Sequence, residues 1–163
     1  MAKKVKAIPE GFHSITPYLV VQDGARAIEF YKRAFGAAEI MRMNGPDGNV
    51  AHAEIKIGDS IVMLGGSPAN ASLRSPQTLG GSTVSMFLYL ENVDTVFGNA
   101  LAAGAKQVQP PTDMYWGDRY GQLTDPFGHA WSLATHIEEV APEEMSKRMQ
   151  EAAKAAQRAH SAG

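Results

Sequence analysis

The chain has 163 residues, 44% of them hydrophobic and 20% charged, with a formal net charge of −2. That is ordinary for a globular protein, and a charge so near neutral gives no electrostatic basis for binding nucleic acid or an anionic membrane surface. There is no cysteine, which excludes disulfides, thiolate metal sites and cysteine nucleophiles, and is compatible with a reducing cytosol.

Residues 1–14 read as an N-terminal arm, because MAKKVKAIPEGF is basic and no apolar run of signal-peptide length follows it. No apolar stretch approaches the roughly 20 residues of a membrane-spanning helix, so a cytoplasmic location and no membrane partner are expected. Ile15 to Val21 is rich in β-branched and aromatic residues and reads as a strand. Asp23 is placed to cap a helix on which Ala27, Ile28, Tyr31, Ala34 and Phe35 share one face, and Gly36 is placed to end it. Strands are expected over 39–43, 50–57 and 60–64, with Asn44–Gly48 as one turn and Gly58-Asp59 as a two-residue hairpin loop that pairs Ile57 with Ser60. Residues 67–82 carry turn formers without apolar periodicity and read as a linker and candidate mobile flap.

From Thr83 the same grammar returns. A strand over 83–90 precedes a helix from Asn92 to Gly104, then strands over 106–109, 118–125 and 129–135, with Pro110-Pro111 and Asp125–Gly128 marking loops. Residues 138–163 read as a helical tail whose first turn holds Pro142, Glu143 and Glu144, either solvated or packed on a partner subunit. Internal duplication governs the fold expectation. The chain is read as α+β, with tandem βαβββ modules at 15–66 and 83–137, curved mixed sheets around a cup-shaped cleft, and a C-terminal helix.

Asp23-Gly-Ala-Arg-Ala-Ile-Glu-Phe-Tyr-Lys-Arg-Ala-Phe-Gly36, the Gly58-Asp59 hairpin, Asn92-Val-Asp94 and Asp125-Pro-Phe-Gly-His-Ala-Trp131 resemble the vicinal oxygen chelate superfamily. That superfamily includes glyoxalase I, bleomycin-resistance proteins and extradiol dioxygenases. Ile15-Thr-Pro-Tyr18, Trp116-Gly-Asp-Arg119 and Pro142-Glu-Glu-Met145 resemble its PhnB-like branch. The likeness spans about residues 13–145. It implies a cleft formed within one chain or between two, and a homodimer, since one module alone has too small an apolar face to be stable.

Metal-dependent members hold a divalent ion with four His or Glu side chains. Carried over by the landmarks of this sequence, those positions fall on Thr16, Met63, Ser85 and Ser132. Hydroxyls stay protonated near neutral pH and a thioether prefers soft ions, so no cofactor is expected and a divalent metal is disfavoured. Strand parity from these positions gives an inward set of Thr16, Tyr18, His52, Glu54, Met63, Ser85, Phe87, Tyr89, Arg119 and Ser132, with Arg119 opposite Ala134 and Trp131 on the helix-facing side. Tyr18, His52, Glu54, Met63, Phe87, Tyr89 and Arg119 are thus candidate ligand-binding residues, and Trp116 joins them as a loop aromatic near the mouth, placed either to stack on a flat ligand or to anchor its loop. Arg119 is expected either to clamp an anionic ligand or to pair with Glu54. His52 and Glu54 are the candidate catalytic pair, as base and acid or as part of a displaced metal site. Three functions follow: metal-free binding of a small organic molecule; a lyase, isomerase or dioxygenase of the glyoxalase kind; or a structural or regulatory dimer.

Overall fold

A computed structural model describes residues 5–66 and 72–161. The first module runs through β1 (Tyr18–Val20), α1 (Gly24–Phe35), β2 (Ala38–Asn44), β3 (Val50–Ile57) and β4 (Ser60–Gly65). A short helix, α2 (Pro76–Leu79), lies in the linker. The second module runs through β5 (Ser85–Tyr89), α3 (Val93–Ala102), β6 (Lys106–Asp113), β7 (Asp118–Thr124) and β8 (Ala130–His136), and α4 (Pro142–Ser161) follows it. The two sheets have the same order, β1-β4-β3-β2 and β5-β8-β7-β6, with β1–β4 and β5–β8 parallel and the other pairs antiparallel. The expected α+β duplication is therefore what the chain forms.

Local chemistry sets the elements. Asp23 accepts a hydrogen bond from Arg26 N–H at 3.0 Å at the head of α1, and Asn92 accepts one from Thr95 N–H at 2.9 Å at the head of α3. The helices pack against each other, and one continuous core joins both modules. It takes Ile28, Tyr31 and Phe35 from α1, Val93 and Phe97 from α3, Ile55 and Leu64 from the first sheet, and Leu123, Trp131 and Leu133 from the second. Trp131 lies on the helix side, as its parity implied; its ring sits 4.6 Å from Phe35 and 5.6 Å from Tyr31.

A polar knot fastens this junction. Asp125, only 3% exposed, accepts hydrogen bonds from Tyr31 Oη at 2.7 Å and Trp131 Nε1 at 2.9 Å, and from the backbone N–H groups of Phe127 and His129, both at 2.9 Å. Burial and the facing carboxylate push the Tyr31 hydroxyl well above the usual tyrosine range, so it stays a donor.

Three sequence expectations are corrected. The turn after β7 holds five residues rather than four, because Asp125 draws the His129 N–H onto its own carboxylate and the Asp125 N–H bonds His129 O at 2.9 Å. Thr124 then pairs with Ala130, Gln122 with Ser132, Tyr120 with Ala134 and Arg119 with Thr135. Pro110-Pro111 does not end a strand; β6 continues through it as an edge with a register shift between Gln109 and Thr112, where the missing N–H groups interrupt no ladder on the outer side. In the linker, residues 67–71 lie outside the described residues, and the described part forms α2 where turn chemistry alone was expected. Ser75 and Pro76 are buried there, and Gln77 Nε2 donates to Pro126 O at 3.2 Å.

Replacing Asp125 with Ala strands four donors in a dry interior, and unfolding in urea should show a loss of more than about 3 kcal/mol. Tyr31→Phe removes one charge-assisted bond across the modules and should cost about 1.5–3 kcal/mol. An unchanged urea midpoint for Tyr31→Phe would show that the bond does not hold the modules together.

Candidate functional site

Each sheet turns one face to the helices and leaves the other open. On the first, Tyr18, Met63, Glu54 and Met41 form a row across four strands, and His52 stands opposite Met43. The His52 ring lies 5.7 Å from that of Tyr18, and its Nε2 is 3.6 Å from Glu54 Oε1. Tyr18 can lie flat here because the position beneath it is Gly65. A Cβ there would sit 2.7 Å from Tyr18 Oη and would collide with Ala51 O. Tyr18 stays 42% exposed. Thr16, at the margin, donates its hydroxyl to His13 O at 3.2 Å.

The open face of the second sheet is an aromatic panel. Phe87 lies 5.0 Å from Tyr89 and stacks on Tyr120 at 5.7 Å and 27°. Trp116 stands at 70° to Tyr120, with centroids 5.6 Å apart, so it forms a wall beside that floor. Phe87 and Tyr89 remain 51% and 61% exposed. Behind the rings, Asp118 is only 3% exposed, and its Oδ2 accepts from Tyr89 Oη at 3.1 Å and Trp116 Nε1 at 2.9 Å. Its Oδ1 meets His136 Nδ1 at 2.8 Å, while His136 Nε2 lies 3.3 Å from Glu139 Oε1. Gly117, at φ 97°, lets the Trp116 loop press on the segment after β8, and its carbonyl accepts the N–H groups of Ile137 and Glu138 at 2.9 and 3.0 Å.

Arg119 does not join this panel. The one-residue shift in β7 turns it to the helix side, where Nε and Nη2 grip Asp94 of α3 at 2.7 and 2.8 Å and Nη1 bonds Asp113 at 2.8 Å. Those hydrogen bonds raise its pKa and lower that of Asp94. The pairing considered with Glu54 is absent; His136, four residues after Ser132 on β8, shares the open face by strand parity, and the shift brings forward Asp118, Tyr120 and Gln122 in place of Arg119. The only sequence signal for them is the Asp125 turn, whose length decides the parity of the whole strand.

Of the four positions that the resemblance matched to divalent-ion ligands, Thr16, Ser85 and Ser132 hold hydroxyls with other partners. Ser85 and Ser132 hydroxyls lie 3.2 Å apart, Ser132 Oγ is 3.0 Å from Tyr120 Oη, and Gln122 Nε2 donates to that same phenol at 2.5 Å. Met63 offers a thioether from the other sheet. Three hydroxyls and a thioether do not fit a hard or borderline divalent cation. Among the described residues no three His, Asp or Glu side chains come together as an alternative cluster. Nor does any hydrogen bond or ring contact among the described residues join the open face of one sheet to that of the other. Among the described residues, one concavity of about 620 Å³ lies beside Asp23, Arg42 and Asp47, and another of about 710 Å³ lies between Tyr18, Leu79, Val84 and Met86.

A family model for the Glyoxalase/Bleomycin resistance protein/Dioxygenase superfamily matches residues 11–133, and the chain belongs to this family. Uncharacterised proteins of Mycobacterium bovis and Mycobacterium tuberculosis are 42% identical to it over 139 residues, spanning 83% of this chain and 91% and 82% of theirs. Among solved structures it is similar to TioX from Micromonospora sp. ML1, with 28% identity and a TM-score of 0.60 over 79% of this chain and 100% of that one. An Arabidopsis thaliana gene product is similar at 26% identity and a TM-score of 0.63, over 76% of this chain and 98% of that one. A Bacillus cereus protein described as PhnB shares the fold at 23% identity and a TM-score of 0.60, over 76% and 99% of the two chains. No helix among the described residues is long and apolar enough to cross a membrane.

The His136 pKa is raised, first by its hydrogen bond to Asp118 and also by Glu139. Its contribution to stability is therefore present in full below the ordinary histidine value of about 6.5 and is lost as pH rises through the raised value. An NMR titration should place His136 above the ordinary value and return it toward that value in Asp118→Asn; an unshifted wild-type titration would remove the pair.

Proposed function

We propose that this chain is a PhnB-like, cytoplasmic member of its family that binds a small organic molecule without a divalent ion, in a cleft completed by a second copy of itself. The observation that carries this reading is the panel of Phe87, Tyr89, Trp116 and Tyr120, braced from behind by Asp118 yet open in front. Phe87 and Tyr89, half-exposed and held in place beside the buried Tyr120, supply apolar area at low entropic cost, which is what a small-molecule wall requires. The first module's Tyr18, His52, Glu54 and Met63 supply the facing wall. One chain leaves both walls uncovered, and exposed apolar surface of this kind favours association; a homodimer that sets the first wall of one copy against the second wall of the other closes two equal clefts. The likeness to the Bacillus cereus PhnB protein supports the branch, at the level of fold. The partners on this reading are a small molecule and a second copy, not nucleic acid or a membrane.

An anionic ligand loses its support once Arg119 is committed to Asp94 and Asp113. His52 and Glu54 stay on the cleft wall as the pair available for proton transfer, and the reading assigns them no reaction.

Light scattering on the purified protein should give twice the chain mass, and a thermal-shift screen of flat aromatic compounds should yield binders that raise stability by mass action, about 2.7 kcal/mol at a hundred times the dissociation constant. Phe87→Ala should abolish that shift with little change in the unliganded melting temperature. Calorimetric titration with Mn, Co, Ni and Zn should show no tight site; about one tight equivalent per cleft would replace this reading with metal-dependent chemistry.

A further inference from the structure

We infer that the aromatic panel of the second module selects an organic cation, a quaternary or protonated ammonium group on a small apolar or aromatic skeleton, over neutral and anionic molecules of the same shape. This rests on the proposed binding role of that face and names the class of molecule it takes.

Three features point the same way. The first is shape: Phe87 and Tyr89 stand exposed side by side, Phe87 stacks on the buried Tyr120, and Trp116 stands at 70° to Tyr120, so rings of two orientations border the open face. Ring faces carry the negative end of the aromatic quadrupole, and a cation within about 6 Å of several such centroids is held by each. The second is polarisation. Tyr89 Oη and Trp116 Nε1 both donate to the same oxygen of Asp118, at 3.1 and 2.9 Å. Donation to a carboxylate pushes electron density into the phenol and the indole, which deepens the potential over their exposed faces. The third is net charge. Asp118 lies immediately behind the panel at 3% exposure, where its field is weakly screened. Against it, no hydrogen bond or ion pair among the described residues brings a lysine or arginine onto the panel. Arg119 is turned away to Asp94 and Asp113, and Arg148 is held by Glu138 and Glu144. His136 is the cationic group in contact, and it is shared between Asp118 and Glu139. On the wall that a second copy would present, the polar pair is His52 with Glu54, flanked by Met41, Met43 and Met63. An anion entering this cleft would meet π faces and carboxylates; an ammonium group would meet the same groups as partners.

The test uses full-length protein and three probes of nearly one shape: (3-hydroxyphenyl)trimethylammonium, 3-tert-butylphenol and 3-hydroxybenzenesulfonate, each titrated by isothermal calorimetry. The cation should bind at least about fivefold more tightly than the neutral phenol, and the sulfonate most weakly. Trp116→Leu should bring the cation-to-neutral ratio toward one. Asp118→Asn can keep an oxygen facing Tyr89 and Trp116 and an amide N–H facing His136, so it should lower the cation-to-neutral ratio, and an unchanged ratio would overturn the inference. A neutral phenol or sulfonate that binds as tightly as the cation would overturn the inference and leave the binding role standing. Failure of all three probes to bind wild-type protein would remove the binding role and the inference together.

Discussion

The Asp125 carboxylate is the constraint on which the rest of this molecule hangs. It gathers four donors into a place that water does not reach, and one of them, the Tyr31 hydroxyl, belongs to the other module. An acceptor-only group with four partners is stable in a dry interior only while all four stay in place, so the knot specifies geometry as much as it adds stability. Around it the rings of Phe30, Tyr31, Phe35, Phe127 and Trp131 fill the junction at centroid distances of 4.6 to 6.3 Å. The two modules consequently bury their helix-side faces in one shared core and keep their opposite faces for other work.

The same carboxylate decides what the second open face is made of. By drawing both the Phe127 and the His129 N–H onto Oδ1, it lengthens the turn by one residue. Side chains along a strand alternate between faces, so a shift of one residue exchanges every occupant of β7. Arg119 and Leu123 go to the helix side; Asp118, Tyr120 and Gln122 come to the open side. A fold-defining hydrogen bond thus reaches the candidate site through register alone, without touching it.

This also explains what could and could not be read from the residues. The duplication, the helix caps and the Gly58-Asp59 hairpin rest on short-range chemistry, and that hairpin gave Glu54 opposite Met63 correctly because a two-residue loop admits one register. Asp125-Pro-Phe-Gly is equally recognisable as a turn, but its length depends on a side chain bonding two backbone groups at once, which no local pattern announces. Pro110-Pro111 misled in the opposite sense, since proline is excluded from the interior of a sheet and tolerated at an outer edge, and edge position is a property of the whole sheet. Phe87, Tyr89 and Trp116 were legible as aromatic wall candidates; that they share Asp118 was not, because the sharing is long-range in the chain.

The hydroxyls at the family's metal positions have a further consequence for chemistry. In the second sheet Ser85, Ser132, Tyr120 and Gln122 form one chain of hydrogen bonds, so the three hydroxyls are engaged with one another and with the Gln122 amide N–H. A floor whose polar groups satisfy one another has little left to offer as directed bonds, and the surface it presents is the π faces above it. On the proposed function, recognition runs through stacking and electrostatic potential where a metal-binding relative would chelate a pair of oxygens, and that mode tolerates variation in the ligand's polar pattern and discriminates by shape and charge. That difference follows from the side chains alone, and it accounts for a shared fold hosting distinct chemistries.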